Sequence, residues 1–199
     1  AHRSGRLDVR RTIEEVLKRL QQSGDDKIWI SRASDEALSA QADALHRRRE
    51  EVERLPLYGV PFAVKDNIDV AGMATTAACP GFAYEAKESA EVVKRLLAAG
   101  ANGVPKNPFD AAYVPGGSSS GSAVAVSAGL VSFSLGTDTA GSGRVPAGFN
   151  NIVGLKPTPG LFSSAGLVPA CRSLDCISVF ALSCADAAAV LEVAADAKT

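Results

Sequence analysis

The chain has 199 residues, of which 46% are hydrophobic and 22% charged, and its formal net charge is −1. This composition predicts a folded domain with a sizeable core and excludes a disordered chain. A nearly neutral chain gives no electrostatic reason to expect nucleic acid or an anionic membrane as a partner. No stretch approaches the roughly 18 continuous apolar residues of a membrane-spanning helix. The charged first residues also lack the apolar core of a secretory signal, so we expect a cytoplasmic protein.

The four cysteines show neither a C-x-x-C pair nor a zinc-binding spacing. They are Cys79, Cys171, Cys176 and Cys184. We predict free and mostly buried thiols in a reducing compartment, with a disulfide between Cys171 and Cys176 as the alternative. No metal and no cofactor is predicted.

The N-terminal part predicts two charged helices. Thr12-Ile-Glu-Glu15 has the pattern of a capping box and is followed by apolar residues at helical spacing. Ser23-Gly24 is expected to end this helix, and Ile28-Trp29-Ile30 predicts a short extended piece. Ser34 is expected to begin a second helix, which continues into residues 46–51, a charged stretch typical of a solvated helix face.

Helices then alternate with short apolar strands. Leu57–Val64 predicts a strand that places Lys65 at its end, and Ser89 is expected to cap a helix that ends at Gly100. A buried helix is predicted for Ser119–Leu130. A short strand over 131–135 and a last helix starting at Ser183 or Asp186 complete the pattern. This alternation indicates the α/β class.

Two Gly/Ser-rich loops, 115–122 and 136–144, are the most distinctive part of the sequence. The first has the spacing of a phosphate-binding loop, but Ser122 stands where the Walker A lysine belongs. It also fits a nucleophile elbow centred on Ser119, which needs a histidine. The only histidines lie far away in the N-terminal region. A Gly-rich turn that packs a helix N-terminus against a strand remains the third interpretation.

Taken together, a lysine at a strand end followed by these two loops closely resembles the amidase signature family of serine hydrolases. The matching segments are Val64–Asn67, Pro115–Ser122, Gly136–Ala147 and Gly154–Pro157. The resemblance implies an α/β amidase-signature fold with a mixed β-sheet core covered by helices. Residues 1–54 are then the N-terminal helical segment of the same domain, and 55–199 the first part of its core.

Two features depart from the family pattern. Amidase signature domains are about twice as long as this chain, so the second half is expected to be absent. Residues 98–108 are also shorter than the corresponding segment of relatives, which indicates either a deletion or, as we favour, omitted residues.

The resemblance assigns roles to three residues: Ser142 aligns with the nucleophile, Ser118 with a bridging serine in a cis peptide bond, and Lys65 with the general base. A serine hydroxyl is a poor nucleophile until a base removes its proton. Lysine can do so near pH 7–8 only if its pKa falls roughly 3 units from ~10.4, which corresponds to about 4 kcal/mol. Surroundings poor in charge favour the neutral amine, whereas Asp66 and Asp138 would oppose it if they lay close.

The second loop is expected to hold the oxyanion of the reaction. The predicted donors are the backbone N–H groups of Thr139, Ala140, Gly141 and Ser142, because small residues let a carbonyl approach the main chain. Arg144 and Asp138 flank this loop and are expected to pair with each other without contacting substrate.

Within the family, three segments resemble the allophanate hydrolases: Thr75–Tyr84, Phe149–Val153 and Cys171–Cys176. The implied reaction is hydrolysis of allophanate (urea-1-carboxylate) with ammonia release, so the expected partner is a small-molecule amide. Gly117 and Arg172 are the candidate substrate-binding residues in this chain. The carboxylate-binding residues of relatives are expected beyond residue 199.

Three alternatives stay open. They are a glutamine-dependent amidotransferase of the A type, another amidase, and a catalytically silent amidase fragment. A homodimer also stays open.

Overall fold

The computed structural model describes residues 2, 4–23, 28–102, 105–107 and 115–196. Its α-helices are α1 (Val9–Ser23), α2 (Asp35–Arg47), α3 (Glu91–Ala98), α4 (Ser120–Ser127), α5 (Arg144–Phe149) and α6 (Cys184–Ala194). Its strands are β1 (Ser31–Arg32), β2 (Phe62–Lys65), β3 (Ala74–Thr75), β4 (Tyr84–Glu85), β5 (Pro105–Asn107), β6 (Phe133–Asp138), β7 (Val153–Leu155) and β8 (Cys176–Ala181). Short 3₁₀ helices cover Arg49–Arg54 and Pro80–Phe82.

The central sheet has the strand order β1-β5-β2-β6-β8-β7. Strand β2 runs parallel to both β5 and β6, whereas β8 runs antiparallel to β6 and β7. The sheet is therefore mixed, and the predicted α/β class is confirmed. A separate antiparallel pair, β3 and β4, lies outside it.

Both faces of the sheet are buried, because successive side chains of a strand point to opposite sides. On β2, Phe62 and Val64 join the apolar cluster that contains α3 and α6. Ala63, between them, joins the cluster that contains α4 and the end of α1. This double burial explains why β2 is apolar at every position before Lys65.

The N-terminal helices form as predicted, but α1 begins earlier than expected. Asp8 precedes the helix and its carboxylate accepts the N–H of Arg10 at 2.8 Å, while the hydroxyl of Thr12 donates to the carbonyl of Asp8 from inside the helix. The capping box at Thr12 was therefore a wrong prediction, because the buried Val9 already belongs to the apolar face. Ser34 caps α2 as expected and accepts the N–H of Ala37.

Further along the chain, two capping predictions had different outcomes. Ser89 does not cap α3, which begins after Ala90; its hydroxyl instead accepts the N–H of Ala71 from a neighbouring loop. Ser183 does cap α6 and accepts the N–H of Asp186. The Ser89 hydroxyl is engaged by a residue outside the helix, and the local sequence pattern does not encode that contact.

The cysteines differ in burial. All four are free, so the disulfide alternative is wrong, and of the four only Cys176 is buried. Cys79 and Cys184 are exposed, which contradicts the prediction of mostly buried thiols. Cys79 lies in a surface loop and Cys184 in the first turn of α6.

Two further points concern the described part of the chain. None of its helices is both long enough and apolar enough to cross a membrane. The segment 98–108, predicted to be unusually short, lies in part outside the described residues.

Candidate active site

Lys65 is the last residue of β2, as the sequence predicted. Its Nζ donates to Ser118 Oγ at 2.8 Å and to Thr137 Oγ1 at 2.8 Å. Because β2 and β6 are parallel neighbours, their carboxyl ends meet at one edge of the sheet, which places Lys65 beside Thr137. The lysine is thus held by two hydroxyls from two different segments.

Burial controls the ionisation of Lys65. Desolvation lowers the pKa of this lysine to about 8, and the negative charges of Asp175 and Asp138 oppose the decrease. The direction agrees with the requirement that a lysine base be neutral near the working pH. Asp138 raises the pKa of Lys65, as expected from the sequence. Asp175 raises it too, an effect that the sequence did not suggest.

Asp66 lies next to Lys65 in sequence but serves a different segment. Its side chain is 2% exposed and its Oδ2 accepts the N–H and hydroxyl of Thr76 and the N–H of Ala78. This carboxylate is engaged with residues 76 and 78, and Asp66 is not among the charges that raise the pKa of Lys65. It fixes the loop after β3 instead.

The first Gly/Ser loop enters α4 through a cis peptide bond between Gly117 and Ser118, which confirms the conformation implied by the family resemblance. Ser118 and Gly117 are both exposed, so this end of the loop is open to a ligand. Gly116 has φ +75° and lies against Pro146; a Cβ there would come within 2.9 Å of the Pro146 nitrogen. Only glycine fits this position without strain.

Ser119 cannot be the nucleophile of an elbow. It is 1% exposed, its hydroxyl donates to the carbonyl of Thr137 at 2.9 Å, and it accepts the N–H of Thr137 at 3.1 Å. This pair of hydrogen bonds fastens the start of α4 to β6. The elbow interpretation is therefore wrong, and a tight packing turn describes Ser119 correctly.

The second loop is organised around Asp138, which is fully buried at the end of β6. Its carboxylate accepts the backbone N–H groups of Gly141, Gly143 and Arg144 at 2.8, 3.1 and 3.0 Å. It also accepts Nε and Nη2 of Arg144 at 3.0 and 3.1 Å. The predicted pairing of Arg144 with Asp138 is confirmed. Burial alone would raise the pKa of Asp138, but the donors from Arg144 and the backbone hold it well below its usual range.

Ser142 lies in this loop and is half-buried. Its carbonyl accepts the N–H of Ser119 at 3.1 Å, which ties the two Gly/Ser loops together. Among the hydrogen bonds of the described residues, none joins the hydroxyls of Ser118 and Ser142. Gly141, next to the serine, has φ +123°, a conformation that favours glycine.

The structure narrows the predicted oxyanion donors. The N–H of Gly141 already donates to Asp138 at 2.8 Å, so it is not free for a substrate oxygen. The N–H groups of Thr139, Ala140 and Ser142 remain the predicted donors.

A cavity of about 300 Å³ lies beside the second loop, between residues 158–169 and 172–177. Arg172 and Asp175 both line it, and Asp175 accepts a hydrogen bond from the hydroxyl of Thr139. The cavity is therefore linked to the predicted oxyanion loop through one carboxylate. No group of three residues able to hold a metal ion occurs within the described part of the chain.

Two residues at this site were not assigned a role from the sequence. Thr137 is buried and accepts a hydrogen bond from Lys65, although it stands inside a quoted motif next to Asp138. Asp175 stands in the segment 171–176 that supported the family resemblance. Their positions inside these motifs were the only indication that the sequence offered. Their contacts with Lys65 and Thr139 depend on the pairing of strands that are distant in the sequence.

Lys65 and the Ser118 hydroxyl meet at the edge of a mixed sheet, with no histidine nearby among the described residues. The chain matches the Amidase family over residues 11–106 and 101–199. It belongs to the amidase family.

Relatives and solved structures agree with this assignment. The chain is 50% identical over 198 residues to a urea amidolyase of Saccharomyces cerevisiae, a match that covers 89% of the chain and 11% of that protein. It is 40% identical over 215 residues to the A-type chain of a glutamyl-tRNA(Gln) amidotransferase of Chlorobaculum tepidum, with 96% and 44% covered. The structure of a Kluyveromyces lactis allophanate hydrolase superimposes with a TM-score of 0.84 at 46% identity, covering 94% of this chain and 34% of that one. The chain thus spans less than half the length of each of these proteins.

Proposed function

We propose that this chain carries the catalytic serines and lysine of a C–N hydrolase that cleaves a small amide. The observation that carries the proposal is the 2.8 Å hydrogen bond between Lys65 Nζ and Ser118 Oγ. A lysine with a pKa near 8 in contact with a serine hydroxyl is a suitable general base at neutral to mildly alkaline pH. Membership in the amidase family supports the same chemistry.

In the proposed cycle, neutral Lys65 takes the proton of Ser118, which takes the proton of Ser142. The oxygen of Ser142 then attacks the amide carbonyl carbon, and the backbone N–H groups of the second loop stabilise the resulting oxyanion. The relay returns the proton to the leaving nitrogen as the C–N bond breaks. Water attacks the acyl-enzyme, gives its proton to the same relay and releases the acid, which restores the Ser142 hydroxyl.

The substrate we propose is allophanate, with ammonia as a product. The support is the 50% identity to a urea amidolyase and the likeness to an allophanate hydrolase. Arg172 is the cationic side chain of the adjacent cavity and is a candidate contact for the substrate's carboxylate, with Gly117 at the exposed end of the first loop. A cytoplasmic location and a homodimer remain predictions from the sequence.

A glutamine-dependent amidotransferase of the A type is the second candidate. It is favoured by the 40% identity to the glutamyl-tRNA(Gln) amidotransferase chain, which covers nearly the whole of this one. Both candidates use the same acyl-transfer chemistry and differ in the amide that enters the site.

Ammonia release separates these functions. The full-length protein is incubated with allophanate or glutamine, alongside the Ser142→Ala variant and a control, Ser127→Ala, which changes an exposed serine near the end of α4. We expect release from allophanate by the wild type and the control, and a loss of about 10³-fold or more in Ser142→Ala. Release from glutamine alone would favour the amidotransferase. Full activity of Ser142→Ala would refute the serine relay.

Labelling with a fluorophosphonate tests for a catalytically silent chain without requiring the correct amide. We expect the probe to label Ser142 in the folded wild type and to leave Ser142→Ala unlabelled. Absence of labelling in folded wild type would support the silent alternative.

A further inference from the structure

We infer that Asp175 is a positioning residue for the acyl-transfer site, because its carboxylate joins the wall of the adjacent cavity to Thr139 in the predicted oxyanion loop. This inference rests on the proposed function. It concerns a residue to which the sequence motifs assigned no role. Through this residue, a displacement of the cavity wall would also displace the loop.

The contacts of Asp175 bridge two segments that are far apart in the sequence. One carboxylate oxygen accepts the hydroxyl of Thr139, 36 residues away. The other accepts the backbone N–H groups of Ala170 and Cys171 at 2.6 and 3.0 Å. Three donors therefore converge on two oxygens, an arrangement that a carboxylate satisfies fully and a neutral amide does not.

Sheet pairing explains why these segments meet. Strands β6 and β8 are antiparallel, and Asp138 pairs with Cys176. One step beyond that pair, Thr139 leaves β6 and Asp175 precedes β8, so the register places them opposite each other. The backbone also closes a turn here, since the carbonyl of Cys171 accepts the N–H of Asp175 at 2.9 Å.

The same carboxylate acts on Lys65 through its charge. The charged and titratable groups around this part of the site are Asp175, Asp138, Arg144, Lys156 and Cys176. The charge of Asp138 is balanced by Arg144, whereas no ion pair of Asp175 occurs within the part of the chain that the structure describes. Of the two carboxylates that raise the pKa of the lysine against desolvation, Asp175 has the larger effect.

These contacts predict two separable effects. Asp175→Asn removes the charge and one acceptor, so Ser142 should react more slowly and the acidic limb of its pH profile should move to lower pH. Thr139→Val removes only the hydroxyl, so reactivity should fall while the pH limb stays in place. We expect rate losses of about 10- to 100-fold in each variant, because small displacements of reacting groups have effects of this size. Thr139→Ser keeps the donor and should restore the rate.

The test measures the rate of fluorophosphonate labelling of Ser142 against pH in the full-length protein, with circular dichroism to verify folding. Asp43→Asn, which removes an exposed carboxylate on α2, is the matched control and should behave as wild type. Wild-type labelling with unchanged rate and pH limb in folded Asp175→Asn would overturn this inference alone. Absence of labelling in the wild type would overturn the proposed function, and this inference with it. If Asp175→Asn does not fold, an unchanged labelling rate in Thr139→Val would still overturn the positioning role.

Discussion

Lys65 and Ser118 are 53 residues apart in the chain, yet the lysine ammonium nitrogen lies 2.8 Å from the serine hydroxyl oxygen. The lysine stands at the end of a central strand, and the serine stands in the loop before α4. A second hydroxyl, from Thr137 on the neighbouring strand, holds the same nitrogen at 2.8 Å. The Lys65 side chain is therefore fixed in position by two hydroxyls of the fold.

The first prediction concerns Lys65→Ala, which removes the proposed general base. A general base contributes about 10²- to 10⁴-fold to a rate, so we expect ammonia release to fall by that range. In the wild type, kcat/KM should rise with pH through a limb near 8, because only the neutral lysine accepts a proton. Lys87→Ala, at an exposed position, is the control. A variant that keeps full activity and the same limb would exclude this lysine as the base.

The second prediction uses the same lysine to link pH and stability. Its pKa is about 8 in the folded chain against 10.5 as the ordinary value, so the unfolded chain binds an additional proton between these pH values. Stability therefore rises with pH in this window. Relative to Lys65→Met, we expect the wild-type free energy of unfolding to increase by about 2–3 kcal/mol between pH 7 and pH 10. Urea unfolding at several pH values measures this difference, and a constant difference would contradict the depressed pKa.

The third prediction concerns the buried carboxylate of Asp138. Asp138→Ala leaves three backbone N–H groups and the Arg144 guanidinium without their acceptor. We expect a loss of about 3–5 kcal/mol in unfolding free energy, typical of breaking a buried pair on one side. Arg144→Gln should cost about 1 kcal/mol or less, because the Arg144 side chain is 57% exposed. Equal losses of unfolding free energy in the two variants would show that the ion pair, and not the hydrogen bonds from the backbone N–H groups, stabilises the loop.

Asp138 also predicts how the protein responds to acid. Its pKa is held well below the usual range by Arg144 and by backbone N–H groups, against the opposing effect of burial. Its contribution is thus fully present above the unfolded-state pKa of about 4 and is lost as pH falls toward the folded value. The free energies of unfolding of wild type and Asp138→Asn, measured against pH in the acid range, should converge at low pH. Parallel curves would contradict this assignment.

The fifth prediction tests the close approach of the first Gly/Ser loop to α5. Gly116 combines a positive φ with a backbone contact to Pro146, so Gly116→Ala should destabilise the protein by about 1–3 kcal/mol. It should also slow labelling of Ser142, because the first loop would shift. Gly81→Ala is the control, since a Cβ there meets no atom within 4 Å. Wild-type stability in Gly116→Ala would show that the first loop and α5 are not in tight contact.

The local sequence pattern predicted strands and helix ends well where a single interaction determines them. The strand before Lys65 is apolar on both faces because both faces of the sheet are covered, and such a run is visible in the sequence. Ser34 and Ser183 cap their helices with donors three residues away. Ser89 failed as a cap because a loop outside the helix used its hydroxyl.

The sequence by itself determined the family, the α/β class, the position of Lys65 at a strand end and the two Gly/Ser loops, since these depend on neighbouring residues or on long contiguous motifs. Only the tertiary structure decided which groups meet. Parallel pairing of β2 with β6 brought Thr137 to Lys65, and antiparallel pairing of β6 with β8 brought Asp175 to Thr139. The pKa of the lysine was decided in the same way, because desolvation and opposing charge both come from segments remote in the chain. Strand register and burial are properties of the assembled sheet, and no local pattern specifies them.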